Sequence, residues 1–241
     1  MHNEKLIYCD IMIRGTREKL DRPEVSVARQ RGGTQPVPLS AQDILEAALR
    51  IVQRCGLDRL TVRAVADELG VTPPAVHYHL RGGEDLDARV IEAVASRIEI
   101  AVDPEAHWVD QYAGLVSSMD RAFLRYPGTG TRVLTAARES PAAERLTGAA
   151  LSILRTAGFG EADAVDLFTA TYLMFAGWLA TRGLRETGGT HPALIAAGVT
   201  APDLADGTAL DRALRRLLEN AAAARSGTGN ERDNPRDGRK P

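Results

Sequence analysis

The residues best suited to chemistry sit in one short run, Ala75, His77, Tyr78 and His79. Two imidazoles and a phenol in three consecutive positions offer hydrogen-bond donors, acceptors and flat rings. No carboxylate lies among them to repel a polyanion. Tyrosine and histidine can donate to a phosphate, their apolar atoms can touch a thymine methyl, and a small residue such as Ala75 lets a helix approach the major groove. This is chemistry of recognition rather than of bond making. Catalytic patterns are missing: the sequence has no phosphate loop, no GxSxG, no HExxH and no Gly-rich dinucleotide turn. The adjacent acids Asp67/Glu68 and Glu84/Asp85 read as ordinary pairs on solvated helix faces, and His107 and His191 stand alone. Cys9 and Cys55, one in a tail and one in a helix, make neither a disulfide framework nor a zinc set. The expectation is therefore a non-enzyme with no metal and no cofactor.

Three helix starts position that run. Ser40 is an N-cap with Asp43 three residues on, a capping-box pattern, and Leu39 and Ile44 occupy the staple positions around it. Thr61 caps the next helix, flanked by Leu60 and Val65, and Thr72 caps the third, flanked by Val71 and Val76, with Pro73 at the first helical position. Gly56 and Gly70 follow the first two helices, where a positive-φ residue ends a helix. Only Gly70, Val71 and Thr72 join the second helix to the third. Such a tight turn forces a large crossing angle, as in a helix-turn-helix. Ile44, Ala48, Ile51, Cys55, Val65, Leu69, Val76 and Leu80 supply one small core, which leaves Ala75, His77, Tyr78 and His79 outward. The bland alternative is a three-helix unit that merely caps a larger domain.

Composition frames the rest. A chain of 241 residues with 44% hydrophobic but only 5% aromatic content must build its core mainly from Leu, Val and Ala. The net charge of −2 excludes a general polyanion binder. No apolar run at the start resembles a signal peptide. The longest uncharged apolar stretch, Leu167 to Thr181, is too short to span a membrane and reads as a buried helix. The expectation is a cytoplasmic protein. Helices are predicted near 40–55, 61–69, 72–80, 84–101, 108–126, 129–137, 141–157, 161–187 and 207–225. The fold class is all-α. A flexible arm covers 1–39, a helix-turn-helix domain 40–86, a ligand-binding and dimerisation domain 87–225, and a disordered tail 226–241.

The stretch TVRAVADELGVTPPAVHYHLRGGEDL resembles the helix-turn-helix and following helix of TetR-family regulators. The resemblance places Thr72, Pro74, Ala75, His77, Tyr78 and His79 at DNA-facing positions. It also matches Arg63 to an arginine that contacts a guanine, a base whose O6 and N7 suit a guanidinium fork. Two departures stand out: His77 replaces the commoner tyrosine, and Gly83 replaces a phosphate-clamping lysine. Residues 40–85 carry five arginines and seven acids, so the reading domain is itself acidic. Backbone N–H groups at helix starts, and Arg29 and Arg31 from the arm, are the candidates to offset this. Arg29 and Arg31 read more readily as a solvated tail, and Arg63 reads equally as a solvated surface arginine.

The run from Trp108 onward, carried by RYPGTGTRVL and TAGFGEADAVDLFTATYLMFAGWLATRGLRE, resembles the C-terminal domain of the tetracycline-repressor branch. That implies an inducer pocket, with Trp108, Tyr112, Leu115, Met119, Arg132, Phe168, Tyr172 and Phe175 as candidate lining and Arg132 as the polar handle. The segment that carries a magnesium-binding histidine in that branch has none here, so an apolar, ring-containing inducer is expected without a metal. Helix 161–187 is apolar on two faces, and Leu210, Leu214, Leu217 and Ala221 follow seam spacing. A homodimer reading a pseudo-palindromic double-stranded DNA operator follows from these. The alternative is a helical interaction module, or a ligand-independent regulator, built on the same fold.

Overall fold

A computed structural model of the chain describes residues 39–80, 83–101, 103–135, 139–186, 190–199, 204 and 206–231. Among these every regular element is a helix. The expected arm, with Cys9, Arg29 and Arg31, and the last ten residues of the expected tail lie outside the described residues.

Helix α1 (Ala41–Cys55) starts where the capping box predicts. The Ser40 Oγ accepts the Asp43 N–H at 3.1 Å, and Asp43 Oδ2 accepts the Ser40 N–H at 2.9 Å. The Ser40 hydroxyl, then its backbone N–H, hold the Asp43 carboxyl below the usual range. Gly56, at φ +85°, leads into a single 3-10 turn, Leu57–Arg59, which lies outside the predicted helices. Helix α2 (Val62–Leu69) is capped by Thr61, whose Oγ1 accepts the Ala64 N–H at 3.0 Å. It stops at Gly70 in the left-handed region, where the Val71 N–H returns to the Ala66 carbonyl at 3.0 Å. Helix α3 (Pro73–His79) differs from expectation at its start. The Thr72 side chain makes no cap; its carbonyl takes the Ala75 N–H, and Pro73 needs no acceptor. The Thr72 hydroxyl is thereby released from the helix.

Helix α4 (Gly83–Ser96) ends five residues before the predicted limit. The β-branched residues Ile98, Ile100 and Val102, followed by Asp103–Pro104, disfavour further helix. The rest of the order is α5 (Trp108–Arg125), α6 (Thr129–Thr135), α7 (Pro141–Thr156), α8 (Glu161–Glu186), α9 (Pro192–Ala196) and α10 (Thr208–Glu231). Helix α9 was not predicted; it is one short turn behind Pro192, with His191 Nδ1 accepting the Ala193 N–H. Helix α10 runs six residues past the expected boundary at 225.

The chain forms two compact units, and they divide differently from a boundary at 86/87. One unit comprises residues 1–97 and 122–139, the other 98–121 and 140–241. In the first, Ile44, Ala48, Val52, Val65, Val76, Val90 and Val94 are buried together. Helix α4 contributes Leu86, Val90 and Val94 to this core, which is why it stays with the three-helix unit. Burying each such side chain is worth roughly 1.5–3 kcal/mol. Cys55 is disulfide-bonded, whereas the sequence points to no disulfide framework.

In the second unit, α8 packs against α7 and α10. It buries Ala164, Leu167, Thr171, Phe175, Trp178 and Leu179. Two polar pairs fix its register against α5. Trp178 Nε1 donates to Asp120 Oδ1 at 2.7 Å, and the Tyr112 hydroxyl meets Thr171 Oγ1 at 2.6 Å. Thr171 in turn donates to the Phe168 carbonyl, so Tyr112 is the donor of its pair. By length and hydropathy, Glu161–Thr181 reaches the measure of a membrane span, contrary to the sequence estimate. Its buried face is committed to protein packing. Leu210 and Leu214 are also committed inside the unit, together with Leu218. They therefore do not form the outward seam expected of Leu210, Leu214, Leu217 and Ala221; Leu217 and Ala221 are half-buried.

Candidate nucleic-acid interface

Helix α3 separates its faces sharply. Val76 and Leu80 are buried, whereas Thr72, Pro74, His77 and Tyr78 are exposed and Ala75 and His79 are half-buried. Tyr78 is 87% exposed, an unusual position for a large ring. The His79 ring stands edge-on to it, with centroids 5.2 Å apart. That contact braces the phenol without covering it. Pro74, His77 and Tyr78 share one side through their i, i+3 and i+4 spacing. Arg63, one residue inside α2, is exposed, and among the described residues no carboxylate pairs with it.

The acidic surplus of this unit is partly spent internally. Glu68 binds Arg50 Nε at 3.1 Å and Arg54 Nη2 at 2.7 Å, a fork that ties α1 to α2. Its carboxyl is held below the usual range, first by the Arg54 hydrogen bond, with burial working the other way and Arg50 adding to the lowering. The same fork removes Arg50 and Arg54 from the set of arginines free to meet phosphate. Sequence reasoning missed it because the partners lie 18 and 14 residues apart.

The residues predicted to line a ligand pocket do not all come together. Tyr112, Leu115 and Phe175 are buried in the second unit, and Met119, Phe168 and Trp108 are half-buried there. Burial pushes the Tyr112 phenol up, with the Thr171 hydrogen bond opposing. Trp108 packs on Phe159 at 5.3 Å, ring edge to face. Tyr172 is exposed on α8, its ring 6.2 Å from that of Phe168. Arg132 belongs to the first unit. It is 61% exposed and 3.8 Å from Asp87, so it is an acid-paired surface arginine and not a buried fork. Burial raises the Asp87 carboxyl, Arg132 lowers it and Asp58 raises it further. A cleft of about 290 Å³ does open in the second unit, walled by Ala113, Val116, Asp120, Gly207, Leu210 and Leu214 among others. None of the eight predicted residues is in its wall. Asp120, only 5% exposed, was not singled out from sequence. Its partner Trp178 lies 58 residues away, beyond any local pattern. Among the described residues no cluster of metal-ligating side chains occurs.

Comparison with known proteins agrees with the geometry. An HTH-type transcriptional regulator of Saccharopolyspora erythraea is 27% identical over 127 residues, covering 52% of this chain and 54% of that protein. Tetracycline repressor protein class A from transposon 1721 of Escherichia coli is 31% identical over 137 residues, covering 56% of this chain and 63% of that repressor. The matches thus span between half and two thirds of these relatives. Among solved structures, a TetR variant from Acinetobacter baumannii AYE in complex with minocycline shares the fold, with a TM-score of 0.62 and 21% identity, over 78% of this chain and 98% of that one. Residues 44–90, which contain α1, α2 and α3 with all but the first turn of α1, match the family model described as bacterial regulatory proteins, tetR family. Residues 44–90 thus carry a helix-turn-helix similar to that of the tetR family of bacterial regulatory proteins, within a fold shared with a solved TetR structure.

Proposed function

We propose that the chain is a sequence-specific DNA-binding transcriptional regulator, a repressor that a small molecule releases from its operator. The observation that carries this reading is the outer side of α3, where Tyr78 is almost wholly exposed on a helix whose other side is core. Together with Pro74 and His77 on the same side, it offers a flat ring and hydrogen-bonding groups to a groove. Arg63, Thr72, Pro74, Ala75, His77, Tyr78 and His79 form the reading set, with Arg63 directed at a guanine. The related tetracycline repressor supports the assignment to repression.

The second unit is the ligand-receptive part in this reading, and the minocycline held by the structural neighbour supports a small-molecule ligand. Trp108, Tyr112, Leu115, Met119, Phe168 and Phe175 supply an apolar, aromatic lining suited to a ring-containing inducer without a metal, and Tyr172, exposed on α8, stands outside it. Arg132 is left out of this set for the reasons given above. The regulator acts as a homodimer. The outer face of α8, with Val165, Tyr172 and Leu173 exposed beside Ala176 and Gly177, supplies the apolar surface for a second copy.

A quantitative mobility-shift titration tests the reading. The duplexes are the DNA upstream of the protein's own gene and a random sequence of equal length. A preference of a thousandfold or more for the former is expected, the order typical of specific binders. Equal affinity for both duplexes, or none for either, would contradict it and favour a protein-binding module. Release by aromatic compounds in the presence of EDTA supports a metal-free inducer; release that needs magnesium refutes it.

A further inference from the structure

The connection between α1 and α2 is held by a distant piece of chain. Leu57 opens the 3-10 turn, where a backbone N–H has no partner within the turn itself. The partner is the Pro127 carbonyl, at 2.9 Å. Pro127 lies between α5 and α6, in the segment 122–139 that belongs to the same compact unit as the helix-turn-helix. A proline has a fixed φ and therefore presents its carbonyl from a stiff backbone.

A glycine at 128 makes the approach possible, and Gly56 faces it at ordinary contact distance. Gly128 has φ +83°, and a Cβ built on it would stand 3.1 Å from Leu57 Cβ and 3.4 Å from Leu57 N. Gly56 has φ +85°, and its Cβ would meet the Pro127 carbonyl and side chain at 3.7 and 3.8 Å. Each strand of this contact thus places a glycine beside the other's bulky residue. Leu57 and Thr129 are buried, and Thr129 donates its hydroxyl to the Tyr126 carbonyl, which keeps the 126–129 turn closed. The Arg97 guanidinium reaches the Tyr126 hydroxyl at 3.4 Å, and Arg132 pairs with Asp87 on the adjoining helices α6 and α4.

We propose that Leu57, Pro127 and Gly128 form an interlock that positions the helix-turn-helix, with Gly128 as its positioning residue. The claim rests on the DNA-binding reading above for its effect on operator affinity. Its structural part, a shared opening of the two segments, stands by itself. The 3-10 turn runs directly into α2, and α2 is joined to α3 by three residues. A shift at Leu57 is therefore passed to the reading helix. A side chain at position 128 would force Leu57 to give way by a few tenths of an ångström and loosen its 2.9 Å bond to Pro127.

The test uses the full chain and two readouts: operator affinity by fluorescence anisotropy, and hydrogen exchange at the Leu57 amide. Gly128→Ala is compared with Gly198→Ala, which carries similar backbone strain at φ +75° but meets nothing within 4 Å. The expected result for Gly128→Ala is loss of protection at Leu57 and operator binding weakened by about threefold to thirtyfold. Gly198→Ala should change neither. Should Gly128→Ala fail to fold, Pro127→Gly loosens the same carbonyl without adding an atom, and the same two changes are expected of it. Either readout unchanged in the folded variant overturns the proposal. If the unaltered chain binds no duplex, the DNA-binding reading falls, and the exchange result alone decides whether the interlock exists.

Discussion

Tyr78 is kept outward because its neighbours Val76 and Leu80 are both drawn into the core of a seven-residue helix. This was legible in the sequence, since one apolar pair at i, i+4 fixes which face turns inward. That the Thr72 side chain would not cap α3 was not legible, because Pro73 at the first helical position already spares one donor. Tyr78→Ala should weaken specific operator binding by about 1–3 kcal/mol, the usual cost of one good contact to base or phosphate, with the melting temperature unchanged. Mobility-shift titration beside a thermal melt checks this, and unaltered affinity removes Tyr78 from the reading set. Arg63→Ala should relax base preference more than it weakens binding to random duplex. An equal loss for both duplexes makes Arg63 a phosphate contact.

At the scale of elements, the capped starts of α1 and α2 were readable because a cap needs only three consecutive residues and their spacing. The Glu68 fork to Arg50 and Arg54 was not, since it joins two helices through the fold. Its partners are about half exposed, so the network is worth about 0.5–1 kcal/mol. The Glu68 carboxyl is held below its unfolded value, chiefly by Arg54. Its contribution is therefore present above the unfolded carboxylate pKa of about 4.3 and is lost as pH falls through the lower folded value. Glu68→Gln should lower stability near neutral pH, and the difference from the unaltered chain should vanish in acid. Chemical denaturation between pH 7 and pH 3 measures this; a difference that does not shrink as pH falls contradicts the fork. Tyr112→Phe removes the donor to Thr171 while Thr171 still bonds the Phe168 carbonyl. It should cost about 1 kcal/mol of stability. A loss above about 3 kcal/mol would mean that the phenol does more than register α5 on α8.

At the scale of the molecule, the all-α class and the helix-turn-helix could be read from caps, glycines and apolar spacing, while the division into units could not. Residues 122–139 return to the first unit across a long stretch of sequence, and no local pattern announces Pro127 as the acceptor for Leu57. The candidate ligand residues were harder still, because aromatic spacing on a helix does not distinguish core from cavity wall. The proposed dimer would use an apolar surface on α8, where Leu173 is 63% exposed. Light scattering at micromolar concentration should report a dimer, and Leu173→Asp should shift it towards monomer by placing a charge in an apolar contact. A monomer in the unaltered chain would remove α8 as an interface. The central claim, that α3 reads DNA sequence, is tested most directly by nuclease footprinting of the purified full chain on the DNA upstream of its own gene, beside Tyr78→Ala. The account predicts protection of one pseudo-palindrome with half-sites about one helical turn apart, and its loss in the variant at equal protein concentration. Uniform or absent protection, or an unchanged footprint in Tyr78→Ala, would contradict it.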